Sequence, residues 1–394
     1  MKRIFIISLL LVIILCGCDK REYRDFSEDL PEDYIIESGE TEDTGEIKGI
    51  WVAIYEAAPE SSDKNKYIEK TNEMMKNISE FGFTDVFFQV RANCDSVYNS
   101  SLFAPCYMYA TGDELWFDAL QIMSDSAHKY NLKIHAWINP YRVCGNRKNM
   151  PLRLPEGIAE SDIYQNGEAF YLNPGDEKTT QLVLKGIKEI IENYNVDGIH
   201  IDDYFYPCVD EKIDKDEYKK YKSDGGENSL YDFRRDCVSA FVSSAYAMIK
   251  SEDSRLMFSI SPSADIDKNY NVLFADVEKW CSESGYCDMI IPQIYFGFEN
   301  SSLPFEKTYA KWSEITSEKD IKLCVGLAIY KSGCEDKYAG DGKNEWINNN
   351  DIIKSEVLFL REHQSDGFAV FSYNYIFGNR KFTKEEVENL KSVI

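Results

Sequence analysis

The chain has 394 residues and a formal net charge of −24, from 68 acidic and 44 basic side chains. That imbalance excludes binding to a nucleic-acid backbone through general electrostatics, because nothing offsets repulsion between two polyanions. The length suits one large α/β domain or two small ones, and the expected partner is a neutral or locally recognised polymer.

The N-terminus reads as an export signal. Lys2 and Arg3 precede the apolar run IFIISLLLVIIL, which is too short to span a bilayer comfortably, and Cys16-Gly17-Cys18 follows. The L-C-G-C tail is similar to a bacterial lipobox, which implies cleavage before Cys18 and its diacylation. Residues 1–18 are therefore expected to be a lipoprotein signal. The protein would be lipid-anchored in the bacterial cell envelope, with membrane contact through the lipid only, on the periplasmic or the cell-surface side. Residues 19–46 are acidic and poor in apolar side chains, so they cannot bury enough surface to offset their ordering entropy. An extended, flexible linker is expected there. Nine cysteines follow Cys18 without a C-x-x-C pair, which predicts mostly buried free thiols, with room for one or two bridges in an oxidising compartment.

From residue 47 onward, short apolar runs alternate with amphipathic stretches. The runs are 49–55, 84–91, 133–140, 197–204, 256–263, 288–295, 322–330 and 367–374, separated by helical patterns such as YIEKTNEMMKNISEF and TTQLVLKGIKEIIENY. Eight βα units in order predict a single-domain (β/α)₈ TIM barrel over residues 47–394, with insertions after strands at 141–177, 205–229 and 331–345. The period-2 phases sort the strand residues into two faces. One is aliphatic (Val86, Phe88 and Val90; Ile134, Ala136 and Ile138; Ile199 and Ile201) and is expected to face the helices. The other holds Trp51, Tyr55, Gln89, Arg91, His135, Trp137, Asn139, His200, Asp202, Tyr204, Ser259, Ser261, Gln293, Tyr295 and Tyr330. So polar and aromatic an interior suggests a binding cleft. Strand eight mixes both phases, leaving its inward set open between Tyr373 and the pair Ser372/Asn374.

The segment VDGIHIDDYFYP, residues 196–207, ends a strand in two adjacent carboxylates among aromatics. Acids at the C-terminal end of a barrel strand point to catalysis, although an acidic strand end also caps helices. Glycosidic hydrolysis usually needs two carboxyl groups flanking the bond. Asp202 is the one carboxylate of the inward phase. Its partner could be Asp95, Asp203, Asp265 or Glu299, with Asp95 preferred because it follows Gln89 and Arg91 closely. Trp51, Trp137, Tyr141, Tyr204, Tyr206, Tyr295 and Tyr330 are candidate sugar-stacking rings, and Asn139, Arg142 and Gln293 suit hydroxyl groups. His135 and His200 could join Asp202 in a metal site. No tight ligand motif supports that, so neutral hydrogen-bonding histidines, no metal and no cofactor are expected. Phosphate loops, dinucleotide fingerprints and the G-x-S-x-G elbow are absent from the sequence.

These motifs, namely GIWVA near strand one, FFQVR…D…Y, HAWINPYRV, YLNPG, VDGIHIDDYFYP, SISP and IPQIYF, resemble the glycosyl-hydrolase-like family 10 domain over nearly all of residues 47–394. The resemblance implies a hydrolase of glycosidic bonds, with peptidoglycan glycan strands a possible substrate. It carries the site onto Gln89, Arg91, Asp95, His135, Trp137, Asn139, Tyr141, Arg142, Asp202, Asp203, Tyr204, Gln293 and Tyr295; His200 joins the substrate-binding set by its phase. Phe233 and Phe296 stand where the family usually and often, respectively, carries tryptophan, which bears on sugar specificity. The competing expectation is a non-catalytic carbohydrate-binding lipoprotein that uses the same cleft.

Overall fold

The computed structural model describes residues 45–146, 150, 152–317, 320–378 and 383–394. The signal, Cys18 and linker residues 19–44 lie outside them. Eight parallel strands close into a barrel: β1 (Ile47–Val52), β2 (Asp85–Arg91), β3 (Lys133–Ile138), β4 (Gly198–Ile201), β5 (Met257–Ile260), β6 (Met289–Ile290), β7 (Lys322–Leu327) and β8 (Gly367–Val370). Each neighbours its successor, and β8 returns to β1. The TIM barrel expected from the alternating runs is the fold observed.

Each strand is followed by a shell helix: α1 (Lys64–Phe81), α2 (Ala119–Lys129), α3 (Glu177–Asn193), α4 (Leu230–Glu252), α5 (Val277–Ser282), α6 (Phe305–Thr316), α7 (Ile352–Glu362) and α8 (Lys384–Lys391). Local sequence sets several of their starts. Asp63, Asp118, Asp176 and Ser229 accept hydrogen bonds from first-turn amides of α1 to α4, satisfying donors a helix otherwise leaves open. The buried faces of these helices meet the aliphatic strand phase, so Val86, Phe88, Ile134, Ile199 and Phe258 share one core with Met75, Ile187 and Val242.

A recurring aspartate locks the strand starts. Asp197, Asp288 and Asp366 precede β4, β6 and β8, and their carboxylates accept from the amides of Ile134, Phe258 and Leu323 at 2.7–2.8 Å. Each ties its own strand to the preceding one, which fixes register at the end of the barrel remote from the acids.

Three departures from the sequence expectation bear on the site. First, the pairing of β2 with β3 jumps from Gln89↔Trp137 to Arg91↔Ile138, a bulge at Val90. One extra residue reverses parity beyond it, so Arg91 shares the helix-facing side with Ile138, its guanidinium lying 4.4 Å over the Phe103 ring. Second, residues 92–118 form a further insertion with two small two-stranded sheets, and Asp95 pairs there with Ala104. Third, strand eight turns Ala369 and Phe371 inward, beside Trp51 and Cys324, which is the phase of the Tyr373 alternative, although the strand ends at Val370 and Tyr373 itself begins the short helix Tyr373–Ile376. The insertion 141–177 carries a three-stranded sheet of Arg142–Cys144, Ile163–Asn166 and Ala169–Leu172. None of the nine cysteines among the described residues is in a disulfide, and six of them are buried.

Candidate active site

The barrel interior divides into a packed floor and a polar mouth. In the floor, Trp51, Phe87, Met289, Ile291, Cys324 and Ala369 form an apolar cluster of their own. His200 is embedded in it. Its Nε2 accepts from Trp51 Nε1 at 3.1 Å, which leaves the proton on Nδ1 to donate to Ser259 Oγ at 2.8 Å. Burial and the neighbouring His135 push the His200 pKa well below its usual value, so the ring stays neutral. His135 stacks on Phe87 at 4.7 Å and pairs with Asp85 at 2.9 Å. Gly198 makes room for it, since a Cβ there would sit 2.5 Å from His135 Nδ1. Both histidines are therefore packing and hydrogen-bonding groups beneath the cleft rather than substrate contacts, and no cluster of three or more metal-type ligands occurs among the described residues.

Above the floor, the C-terminal strand ends bring together one connected network. Asp202 is 3% exposed. Its Oδ2 accepts from Trp137 Nε1 at 2.9 Å and Asn139 Nδ2 at 2.6 Å, and its Oδ1 from the Tyr204 amide at 3.2 Å. Asn139 in turn accepts from Gln89 Nε2 at 2.7 Å, and Gln89 Oε1 accepts from the Ile54 amide at 3.2 Å. Trp137, Asn139 and Gln89 thus hold one carboxylate in a single orientation from two adjacent strands. Asp203 is half-buried at the opening and accepts from Gln293 Nε2 at 3.3 Å, while that same amide group donates to the Ser261 carbonyl at 3.0 Å.

Burial and the adjacent Asp203 charge push the Asp202 pKa up to about 7, against the weaker pull of Arg142 and the Trp137 donor. Asp203 is raised in the same direction, mainly by burial. Two neighbouring carboxyls in a poorly solvated site cannot both ionise cheaply, so the pair retains a proton near neutral pH. A protonated carboxyl beside an ionised one is the arrangement that general acid catalysis requires.

Arg142 and the tyrosines frame this pair. Arg142 donates Nε to the Ala92 carbonyl at 2.8 Å and lies 4.6 Å over the Tyr204 ring, which is 40% exposed. Tyr295 and Tyr330 meet edge to face at 5.8 Å and both contact Phe371. The other candidate rings lie elsewhere. Trp51 belongs to the floor, Tyr141 packs on Phe241 in the helix shell, and Tyr206 donates to Asp214 and packs against Phe274. Asp95 is buried beside the Cys106 thiol, within the electrostatic reach of Arg142; burial raises its pKa, and no hydrogen bond links it to the Asp202–Asp203 pair.

Sequence reasoning left out two positioning groups. Arg234, fully buried, grips Asp214 through Nε and Nη2, both at 2.7 Å, and bonds the Val209 and Asp210 carbonyls. It pins the loop that follows the two acids, and its place in the Phe233-Arg234-Arg235 motif was the available signal. Glu56 accepts from the Ala53 amide, Ser372 Oγ and the Asn374 amide at 2.7–2.9 Å, fastening the β1 and β8 loops together, with no sequence signal to mark it.

Comparison with known proteins fits this geometry. The model of the family Glycosyl hydrolase-like 10 matches residues 46–341. The chain belongs to that family. It is 28% identical over 314 residues to glycosyl hydrolase YngK of Bacillus subtilis, covering 73% of this chain and 61% of that protein. It is 28% identical over 351 residues to glycosyl hydrolase DigH of Escherichia coli, covering 81% of this chain and 78% of the relative. The glycoside hydrolase domain of PgaB from Bordetella bronchiseptica superposes with a TM-score of 0.58 at 10% identity, over 87% of this chain and 98% of that one. The catalytic domain of a β-amylase from Paenibacillus polymyxa gives 0.55 at 11% identity, over 88% and 98%. These two show the shared fold.

Proposed function

We propose that the protein is a glycoside hydrolase, held in the bacterial envelope by lipid on Cys18, that cleaves an envelope or extracellular polysaccharide, with peptidoglycan glycan strands the first substrate to test. The observation that carries the reading is the buried Asp202 carboxyl, held by Trp137, Asn139 and the Tyr204 amide beside Asp203. Asp202 is the general acid. Its proton goes to the leaving oxygen as the glycosidic C–O bond breaks; water then bonds to the anomeric carbon and gives up a proton that restores the carboxyl pair. Asp203, at the opening and oriented by Gln293, is the second carboxyl and supports the positive charge that develops at the anomeric carbon. Its partial exposure favours it over Asp95, which is buried in the 92–118 insertion beside Cys106. Tyr204, Tyr295 and Arg142 bind the sugar.

The test is turnover of peptide-free peptidoglycan strands and other defined glycans by wild type, Asp202→Asn, Asp203→Asn and Asp95→Asn. Loss of about 10²–10⁴-fold in kcat is expected for Asp202→Asn, with sugar affinity retained. Asp203→Asn should also abolish most turnover, and Asp95→Asn should leave it within a few-fold. A wild type that binds glycans but cleaves none at any pH would make the cleft a carbohydrate-binding site alone.

A further inference from the structure

Exposed aromatic rings are not spread evenly over this molecule. Among the described residues, the exposed large aromatics are Tyr55, Tyr107, Tyr204, Tyr231, Tyr270 and Tyr338. All six lie on segments between a strand end and the start or first turn of the shell helix that follows, which is the face that carries Asp202 and Asp203. Beyond the first turns of the helices, the outer helix surface of the described residues has none of them. Single exposed apolar residues need no explanation. Confinement of all six to the catalytic face does.

The positions around the barrel also have a pattern. Tyr204, Tyr231 and Tyr270 follow β4 and β5, whereas Tyr338, Tyr55 and Tyr107 follow β7, β1 and β2. In the closed order β7-β8-β1-β2 these last three form one arc, and β4 and β5 lie across the barrel from β8 and β1.

Several of the rings are also held firmly. Tyr338, 90% exposed, sits on a braced loop: its amide donates to Asp336 Oδ1 at 3.3 Å, and Asp336 Oδ2 pairs with Lys331 Nζ at 2.6 Å. Lys331 Nζ also donates to the carbonyl of Tyr295, a cleft residue, at 2.6 Å. The buried Asp336 carboxylate therefore joins the Tyr338 loop to the wall of the site. On the other arc, the Arg235 guanidinium lies 3.9 Å over the Tyr270 ring and donates to the Tyr270 carbonyl at 3.1 Å, and Tyr231 packs edge to face on Phe274 at 5.1 Å. A flat ring presented to solvent on a preformed loop can stack on a sugar with little ordering cost.

We propose that these tyrosines form distal subsites of one extended surface that crosses the mouth between the two arcs and binds several consecutive sugars of an uncharged or weakly charged glycan. The proposal rests on the glycoside hydrolase reading for the direction of the chain through the Asp202–Asp203 cleft. The net charge of −24 disfavours a ligand with a charge on every sugar, so a strand with one carboxylate per disaccharide is the most charged glycan expected, and tyrosine faces suit the apolar faces of pyranose rings. Tyr338 is the most informative member, because its ring is exposed and its loop is held by other residues.

The experiment uses peptide-free peptidoglycan strands fractionated by length, with wild type, Tyr338→Ala and Tyr338→Phe. Wild-type KM should fall as the strands lengthen. Tyr338→Ala should raise KM for long strands about 3–10-fold with kcat unchanged, and leave fragments of a few sugars within twofold. Tyr338→Phe keeps the ring and should restore the wild-type value. An equal effect of Tyr338→Ala at every length, or none at any length, overturns the proposal. If wild type cleaves none of the strands, the hydrolase reading falls separately. Calorimetric affinities of Asp202→Asn and of Asp202→Asn/Tyr338→Ala for the same fractions then decide: a length-dependent affinity that the second variant loses supports the surface, and a length-independent one refutes it.

Discussion

Asp202→Asn should make the protein more stable in alkaline solution while it disables the site. A carboxyl whose pKa rises from 3.8 to about 7 on folding binds its proton more tightly in the native state. At about 1.4 kcal/mol per pKa unit, that difference amounts to about 4 kcal/mol. The sign follows from proton binding. Below pH 4 the group is protonated in both states and contributes its full stability. Between pH 4 and 7 the unfolded carboxyl ionises while the native one does not, so stability declines with rising pH, and the loss is complete above 7. Asparagine never ionises and keeps an oxygen to accept from Trp137 and Asn139. The stability difference between variant and wild type should therefore grow in favour of the variant from pH 4 to 8. About 4 kcal/mol is the upper bound, since Asp203 shares the proton. The assay is urea unfolding at pH 4, 6 and 8. Comparison of the two proteins matters because Glu386, pushed by burial up to about 7, and the buried Glu356 bias stability in the same direction and cancel in the difference. A gap that stays constant across this range would refute the claim that the fold strains against an ionised Asp202.

The same proton governs catalysis, so kcat should fall as pH rises through about 7 in a stopped assay on a cleaved glycan; a profile flat to pH 9 would remove Asp202 from the acid role. Asp214→Asn should cost about 3–5 kcal/mol in urea unfolding, because it leaves the Arg234 guanidinium buried without its counter-charge. A cost below about 1 kcal/mol would mean that the ion pair is dispensable to the loop. Cys18→Ala should move the protein from the detergent phase to the aqueous phase without changing its unfolding curve; unchanged partitioning would refute lipid attachment there.

The eight units and most strand faces were legible because burial of one face imposes period 2 on a strand and nothing local disturbs it. Gln89, Asn139, Asp202 and Gln293 could be assigned to the inward face on that ground alone. Arg91 could not. Its parity depends on the bulge at Val90, which is a property of the β2–β3 pairing rather than of the segment's own sequence. The surroundings of Asp95 were hidden for a related reason: closeness along the chain to Gln89 suggested closeness in space, but the insertion 92–118 folds on itself, pairs Asp95 with Ala104 and buries it beside Cys106. Strand eight stayed open because its inward residues, Ala369 and Phe371, are themselves apolar and offer no contrast with the helix-facing phase.

The histidines expose a more general limit. Period 2 says which residues face the barrel axis and nothing about depth along it. His135, His200 and Asp202 share one phase, yet the first two lie in the floor among Phe87, Trp51 and Ser259, and only the last reaches the mouth. The floor nevertheless bears on the acid. Trp51 and Ser259 fix the tautomer of His200, and burial keeps that ring neutral, so His200 places no positive charge beneath Asp202. A cation there would favour the ionised carboxylate and draw its pKa down. His200 therefore completes its own hydrogen bonds without adding a charge, which leaves the proton on the pair at the mouth.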